Sequence, residues 1–307
     1  MDSSQALQRA FEAGVEHLRR EEYEEAIQCF EEGLKLATEQ RYQELEASFR
    51  LLIGQSAFEL DDITRAREEL VQAYELFRAV DDPIGQARAR LELGELAFWN
   101  EQYDLAQRHY QRVLDLLAEV NPDETTSEIL ALAHVRLGAI AFEEEEKLEA
   151  AQAHYQQAFT YYVQIDEPLN AANVVIELAS NLQLEDPEQA RHFFEEGKAL
   201  AQQAGDDYLA SIALHGLGVL AADQGRWSEA LSWYRQALEL KERCGDQEGQ
   251  VFTYLALGVA ERELGHQREA RAAWQRALRL AKQEDLEDVA LVVQALIESN
   301  VQDWLRS

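Results

Sequence analysis

The sequence predicts an all-α fold: a right-handed α-solenoid of seven helix pairs followed by one C-terminal helix. Three observations predict it. A small residue recurs at a near-constant step, a set of second-helix residues recurs with it, and the four prolines fall at the expected seams. The small residue is Gly14, Gly54, Gly94, Gly138, Ala179, Gly218 and Gly258, at successive steps of 40, 40, 44, 41, 39 and 40 residues. Self-similarity at such a period marks a repeat array, in which each helix pair buries its apolar face only against its neighbours.

The second helix of each repeat carries three marks. First comes an alanine: Ala26, Ala66, Ala106, Ala151, Ala190, Ala230, Ala270. Four residues later stands a large side chain: Phe30, Leu70, Tyr110, Tyr155, Phe194, Tyr234, Trp274. Three further on the residue is mostly small: Gly33, Ala73, Val113, Ala158, Gly197, Ala237, Ala277. Spacings of four and three keep these on one helix face. A helical glycine costs roughly 1 kcal/mol against alanine, so its recurrence calls for close helix contact, with the large residue filling the gap between neighbouring units.

These residues resemble the tetratricopeptide repeat. The usual period of that family is about 34 residues, and the longer step here, with Gly205-Asp206 and Gly245-Asp246 ahead of a first helix, is similar to its long-helix members. The resemblance spans residues 5 to 283. It implies that first helices line a concave groove that binds a protein or peptide, and that the chain acts as scaffold, adaptor or assembly factor. The alternative it implies is a peptide-responsive regulator that switches a separate effector.

In order, the repeats are expected at about 4–40, 41–80, 81–120, 124–165, 166–204, 205–244 and 245–283, as one continuous solenoid over 1–307, with the C-terminal helix at 286–304. The first has acidic residues opening its second helix, where the helix dipole favours them. The second ends at Asp82-Pro83, a stop followed by a fresh helix start, and the third ends its first helix with Phe98 and Trp99. Before the fourth, Asn121 to Glu128 reads as the longest loop, and Pro83, Pro122, Pro168 and Pro187 read as turn residues. The run Glu143 to Glu146 reads as a solvated turn, since adjacent carboxylates on a helix diverge. The fifth repeat is the least regular, with Ala179 for glycine, and the sixth and seventh are the most regular. The C-terminal helix carries Val289, Leu291, Val292, Val293, Leu296, Ile297 and Trp304, more apolar residues than one stripe holds, which suggests contact with a second copy or a partner.

Fifty-nine acidic against 28 basic residues give a net charge of -31, which disfavours nucleic acid and anionic membrane surfaces. No signal peptide and no apolar run of about 20 residues is visible, so a cytoplasmic location is expected. Cys29 and Cys244 sit in distant repeats and are expected to remain thiols. The seven histidines form no helical pair of the zinc-binding kind, and neither a phosphate loop nor a nucleophile elbow occurs; no metal, cofactor or enzymatic activity is expected.

What remains is the groove the resemblance implies. Its expected lining is Arg88, Glu95, Phe98, Trp99, Arg136, Asn173, Ile212, His215, Val219, Phe252 and Val259, polar in the middle and apolar toward the sixth and seventh repeats. The lysines that clamp a terminal carboxylate in chaperone-binding relatives are missing from these positions.

Overall fold

The computed structural model describes residues 3–142 and 148–306, with side chains described through residue 299. The Glu143 to Glu146 run lies outside the described residues, as does the Trp304 side chain. Fifteen helices and no strand occur among the described residues, in two compact units. Unit 1, Met1–Ile165, holds α1 (Ser3–Arg19), α2 (Tyr23–Gln40), α3 (Gln43–Glu59), α4 (Ile63–Ala79), α5 (Pro83–Trp99), α6 (Tyr103–Leu117), α7 (Glu124–Phe142) and α8 (Leu148–Gln164). Unit 2, Asp166–Ser307, holds α9 (Pro168–Leu182), α10 (Pro187–Ala204), α11 (Asp207–Asp223), α12 (Trp227–Cys244), α13 (Gln247–Glu263), α14 (Gln267–Gln283) and α15 (Glu287–Arg306).

The helices end by a recurring device. Glu21, Arg41, Asp61, Asp81 and Glu101 in unit 1, and Gly205, Gly225, Gly245, Gly265 and Asp285 in unit 2, all have positive φ and follow one another within each unit at 20-residue steps. A left-handed residue there turns the chain back so that orphan carbonyls are met. The amide of Tyr42 bonds the Ala37 carbonyl (2.9 Å) and that of Arg226 bonds the Ala221 carbonyl (2.8 Å). One helix plus its seam is therefore a 20-residue module, and two modules make the 40-residue step. Starts are capped where an aspartate precedes the helix: Asp62, Asp186, Asp206 and Asp246 each accept the amide three residues on.

Pro83 begins α5, the fresh start read at Asp82-Pro83; Pro168 and Pro187, read as turn residues, likewise begin α9 and α10, where a missing N–H costs nothing. The expected long loop is also shorter than it reads: Glu124 to Glu128 form the first turns of α7, with Asp123 accepting the Thr126 amide at 2.9 Å.

Within each pair that has the recurring glycine, that glycine is the seat of the large residue. A Cβ on Gly14 would lie 2.2 Å from Phe30, on Gly94 2.5 Å from Tyr110, on Gly218 2.4 Å from Tyr234, and on Gly258 2.3 Å from Trp274. In these repeats the large side chain leans back across the pair and packs on the glycine of its own repeat; Phe194 packs instead on Gly216 of the next repeat, between units as the sequence suggested. Packing between repeats uses other glycines: Gly33 lies under Phe49, and Gly216 under Phe194. Ala26, Ala66, Ala106, Ala190, Ala230 and Ala270 are fully buried.

In α15, Ala290, Val293 and Ile297 join the core with α14, whereas Leu291 and Val292 are 70% and 56% exposed. The surplus of apolar residues read from the sequence is a surplus on the surface.

Candidate functional site

First helices of successive repeats touch one another, α3 with α5 and α5 with α7 in unit 1, α9 with α11 and α11 with α13 in unit 2. The contact has a register. The residue just after the small position of one repeat meets the residue two before it in the next. In unit 1 this places Gln55 against Glu92, with Gln55 Nε2 donating to Glu92 Oε1 at 2.7 Å. One repeat on, Arg136 grips Glu95 through Nε (2.8 and 3.0 Å) and Nη2 (2.6 Å). Glu95 also accepts the Tyr110 hydroxyl at 2.7 Å.

The two glutamates differ in kind. Glu95 is neutralised by a bidentate guanidinium, the strong form of a charge-assisted bond. Glu92 has an amide for its partner; burial first, then the charges of Glu95 and Glu59, push its carboxyl up to about 7 despite the Gln55 bond. Such a group gives up its proton near neutrality, and a cation placed beside it would draw the proton off.

Aromatic side chains flank this seam. The Arg136 guanidinium lies 5.1 Å from the Phe98 ring centre. Phe98 packs edge-on to Trp99 (6.3 Å) and Tyr103 (5.5 Å), and Trp99 stands 65% exposed. Further along the same layer, Leu7, Phe11, Tyr42, Leu45 and Phe49 line an apolar recess of about 660 Å³ between α1 and α3.

The expected lining residues thus fall into groups. Glu95, Arg136, Phe98 and Trp99 come together in unit 1. Arg88 is exposed on α5 and its charge reaches Asp123, whose carboxyl is held below the usual range mainly by Thr126. In unit 2, Asn173 is exposed on α9. Ile212, Val219 and Val259 are half-buried, Val219 and Val259 packing on core clusters, and Phe252 is exposed. His215 is bound into the packing: its Nδ1 meets Thr253 Oγ1 at 3.1 Å, its ring lies 5.5 Å from that of Tyr234, and burial then Lys241 lower its pKa to about 4. It ties α11 to α13 as a neutral imidazole.

Sequence reading passed over Glu92 and the meeting of His134 with His154, whose Nδ1 atoms lie 2.9 Å apart between α7 and α8. Two residues before the small position the other repeats hold Glu12, Leu52, Arg136, Glu177, Gly216 and Ala256, so the charge of Glu92 gave no signal by itself. Among the described residues no group of three or more His, Cys, Asp or Glu is placed to hold a metal ion. No helix among them is long and apolar enough to cross a membrane.

Three solved structures resemble this one. RapI, in its apo form, is 13% identical, with 91% of this chain and 98% of that chain covered at a TM-score of 0.64. The apo quorum sensor NprR from B. thuringiensis is 18% identical, covering 96% and 81% at 0.62. Aspartyl phosphate phosphatase F from Bacillus subtilis is 13% identical, covering 100% and 85% at 0.63. At such identities the likeness is one of fold. No curated protein matches the chain in sequence. Two models described as tetratricopeptide repeat match it, one over residues 11–83, the other over 170–243 and 208–283. With the helix pairs, the small-on-large packing and most of the length matched, the chain belongs to the tetratricopeptide repeat family.

Proposed function

We propose that the protein is a non-catalytic peptide-binding scaffold or adaptor whose groove is the first-helix layer, and that its principal site lies in unit 1. The observation that carries this is Glu92: a half-buried carboxyl without a cationic partner, beside an exposed tryptophan, on the layer where this family presents its ligands. An ionisable group kept half-buried without a counter-charge is costly, so it marks a candidate site for one. The ligand is a peptide that places a lysine or arginine against Glu92 and an apolar residue on Trp99 or in the recess beside Phe11. Arg88 and Arg136 fix its direction, since a few placed polar groups supply specificity. In unit 2, Asn173, Ile212, Val219, Phe252 and Val259 are proposed as a binding surface of that unit.

A peptide library displayed on phage and panned on the full chain tests this. Enrichment of basic sequences, with affinity reduced roughly tenfold by Glu92→Gln and by Trp99→Ala, supports it. Enriched peptides that bind both variants as well as the parent would overturn it.

A second reading, a peptide-responsive regulator, is favoured by likeness to NprR, a quorum sensor, across 96% of this chain. Small-angle scattering separates the two: compaction on adding an enriched peptide marks a switch, and an unchanged profile marks a rigid scaffold.

A further inference from the structure

A second site lies on the side of unit 1 where second helices meet. There α4, α5 and α6 enclose a cavity of about 270 Å³, walled by Arg67, Tyr74, Arg90 and His109 and floored by apolar side chains such as Val71 and Leu93. Arg90 is central. Its guanidinium stacks over the Tyr74 ring at 4.0 Å, Nη1 lies 3.3 Å from His109 Nδ1, and its buried Nε, like that of Arg50 one repeat earlier, has no hydrogen-bond partner.

The repeat supplies an internal comparison. Four residues before the small position and three after the second-helix alanine, each repeat has a facing pair. In the second repeat the pair is Arg50 and Glu69, and Arg50 is bound by Glu69 (2.8 Å) and by Glu46 (3.2 Å). In the third repeat the same slots hold Arg90 and His109, and Gln86 replaces Glu46. Both carboxylates are gone and the arginine is kept. His109 does not take their place: the guanidinium donates to its Nδ1, and burial, then the charge of Arg90, lower its pKa to about 4. Arg67, on the wall, has no ion pair among the described residues. The wall's carboxylate, Glu75, is turned to Arg78 at 2.5 Å. Even the Tyr74 hydroxyl is drawn below its usual range by Arg90 and Arg112.

In a chain of net charge -31, Arg90 thus lacks both carboxylates that bind Arg50 in the second repeat. The geometry points to a binding site here for a small carboxylic acid with an apolar body, its carboxylate on Arg90 and Arg67 and its body over Tyr74, Val71 and Leu93. An arginine fork matches a carboxylate's two oxygens, and the apolar floor rewards a hydrocarbon body over a bare ion. The volume accommodates a ligand of a few carbons beyond the acid group.

Phenylacetate is a suitable probe, with phenethylamine as its cationic counterpart and inorganic phosphate as a bare anion, titrated calorimetrically into the full chain. Saturable binding of phenylacetate is expected, with none of phenethylamine. Arg90→Gln should weaken it at least roughly tenfold. His109→Glu is the sharper test: it restores the second repeat's pairing and supplies the carboxylate from within. That variant should melt no lower than the parent and bind phenylacetate at least roughly tenfold more weakly. Failure of phenylacetate to saturate by about 10 mM, undiminished binding to His109→Glu, or tighter binding of phosphate than of phenylacetate would each overturn the assignment.

Discussion

Replacing Gly258 by alanine separates two opposed effects. In an exposed helix the change would stabilise by up to about 1 kcal/mol through helix propensity. Here the new methyl would lie 2.3 Å from Trp274 Nε1 and 2.4 Å from its Cδ1. The indole cannot yield, because it is fully buried and its Nε1 donates to the Leu255 carbonyl at 3.1 Å. Overpacking costs about 1–3 kcal/mol, and displacing the indole forfeits a further bond of about 1 kcal/mol. The net expectation is a loss of about 1–3 kcal/mol, read as a lower midpoint in urea unfolding followed by circular dichroism. Gly265→Ala is the control: its φ is +83° and no atom waits within 4 Å, so only left-handed strain of about 1 kcal/mol applies. Adding Trp274→Phe should recover part of the Gly258→Ala loss, with a coupling of about 1 kcal/mol in the double-mutant cycle. A Gly258→Ala protein as stable as the parent would refute the account of the small position as a seat for the large one.

Glu92→Gln should raise stability at pH 8 by up to about 3 kcal/mol and have little effect at pH 4. The sign follows from its raised carboxyl: the folded state holds the proton from 4.5 to about 7 where the unfolded state releases it, so stability falls as pH rises through that window. His134 and His215 act oppositely. With folded values of about 4 against an ordinary 6.5, they withhold stability as pH falls from 6.5 toward 4, and His215→Gln should flatten the acid side of a melting-temperature profile. Phe252→Ala should lower the melting temperature only slightly, since the residue is 42% exposed, while weakening any peptide that binds unit 2. Leu291→Glu should leave folding intact, and if α15 joins a second copy, it should reduce the mass measured by light scattering to that of one chain.

The fold was legible because packing leaves a periodic record. Gly14 with Phe30 and Gly258 with Trp274 are the two ends of one recurring contact, and a step of 40 is visible without knowing what the contact is. The 20-residue module was harder to see. Its left-handed residue is glycine at Gly205, Gly225, Gly245 and Gly265, but aspartate, glutamate or arginine at Asp61, Asp81, Glu21 and Arg41, types that stand anywhere on a polar surface. The site was half legible. Glu95, Phe98 and Trp99 lay on registers assigned to the groove, whereas Glu92 shares with Arg136 a register that holds Glu12, Leu52, Glu177, Gly216 and Ala256 in the other repeats, so its charge is no signal by itself. Its meaning depends on Gln55, 37 residues away, and only the stacking of α3 on α5 brings the two together. His215 failed as a lining residue for the converse reason: the register is right, but Thr253 and Tyr234 already occupy it.

Because backbone packing repeats while slot occupants vary, the slots themselves can be compared for purpose. In unit 1 they hold Gln55 with Glu92, Glu95 with Arg136, Arg50 with Glu69, Arg90 with His109 and His134 with His154, beside the apolar Val15 with Leu52 and Ala10 with Cys29 of the first repeat. The same slots in unit 2 hold Val219 with Ala256, Val175 with Phe193, Leu214 with Trp233 and Tyr254 with Ala273. Unit 2 shows that apolar pairs satisfy this geometry. Replacing a buried polar or ionic pair by apolar groups of similar volume is often neutral or stabilising, so the polar pairs of unit 1 are not there for stability alone. Two of them, Arg50 with Glu69 and Glu95 with Arg136, are internally neutralised. The other charged ones, Glu92 and Arg90, each face a neutral partner, one open to the first-helix layer and one to the cavity between α4 and α6. An uncompensated charge of each sign, Glu92 and Arg90, is carried by the third repeat, which is why both proposed sites fall within unit 1.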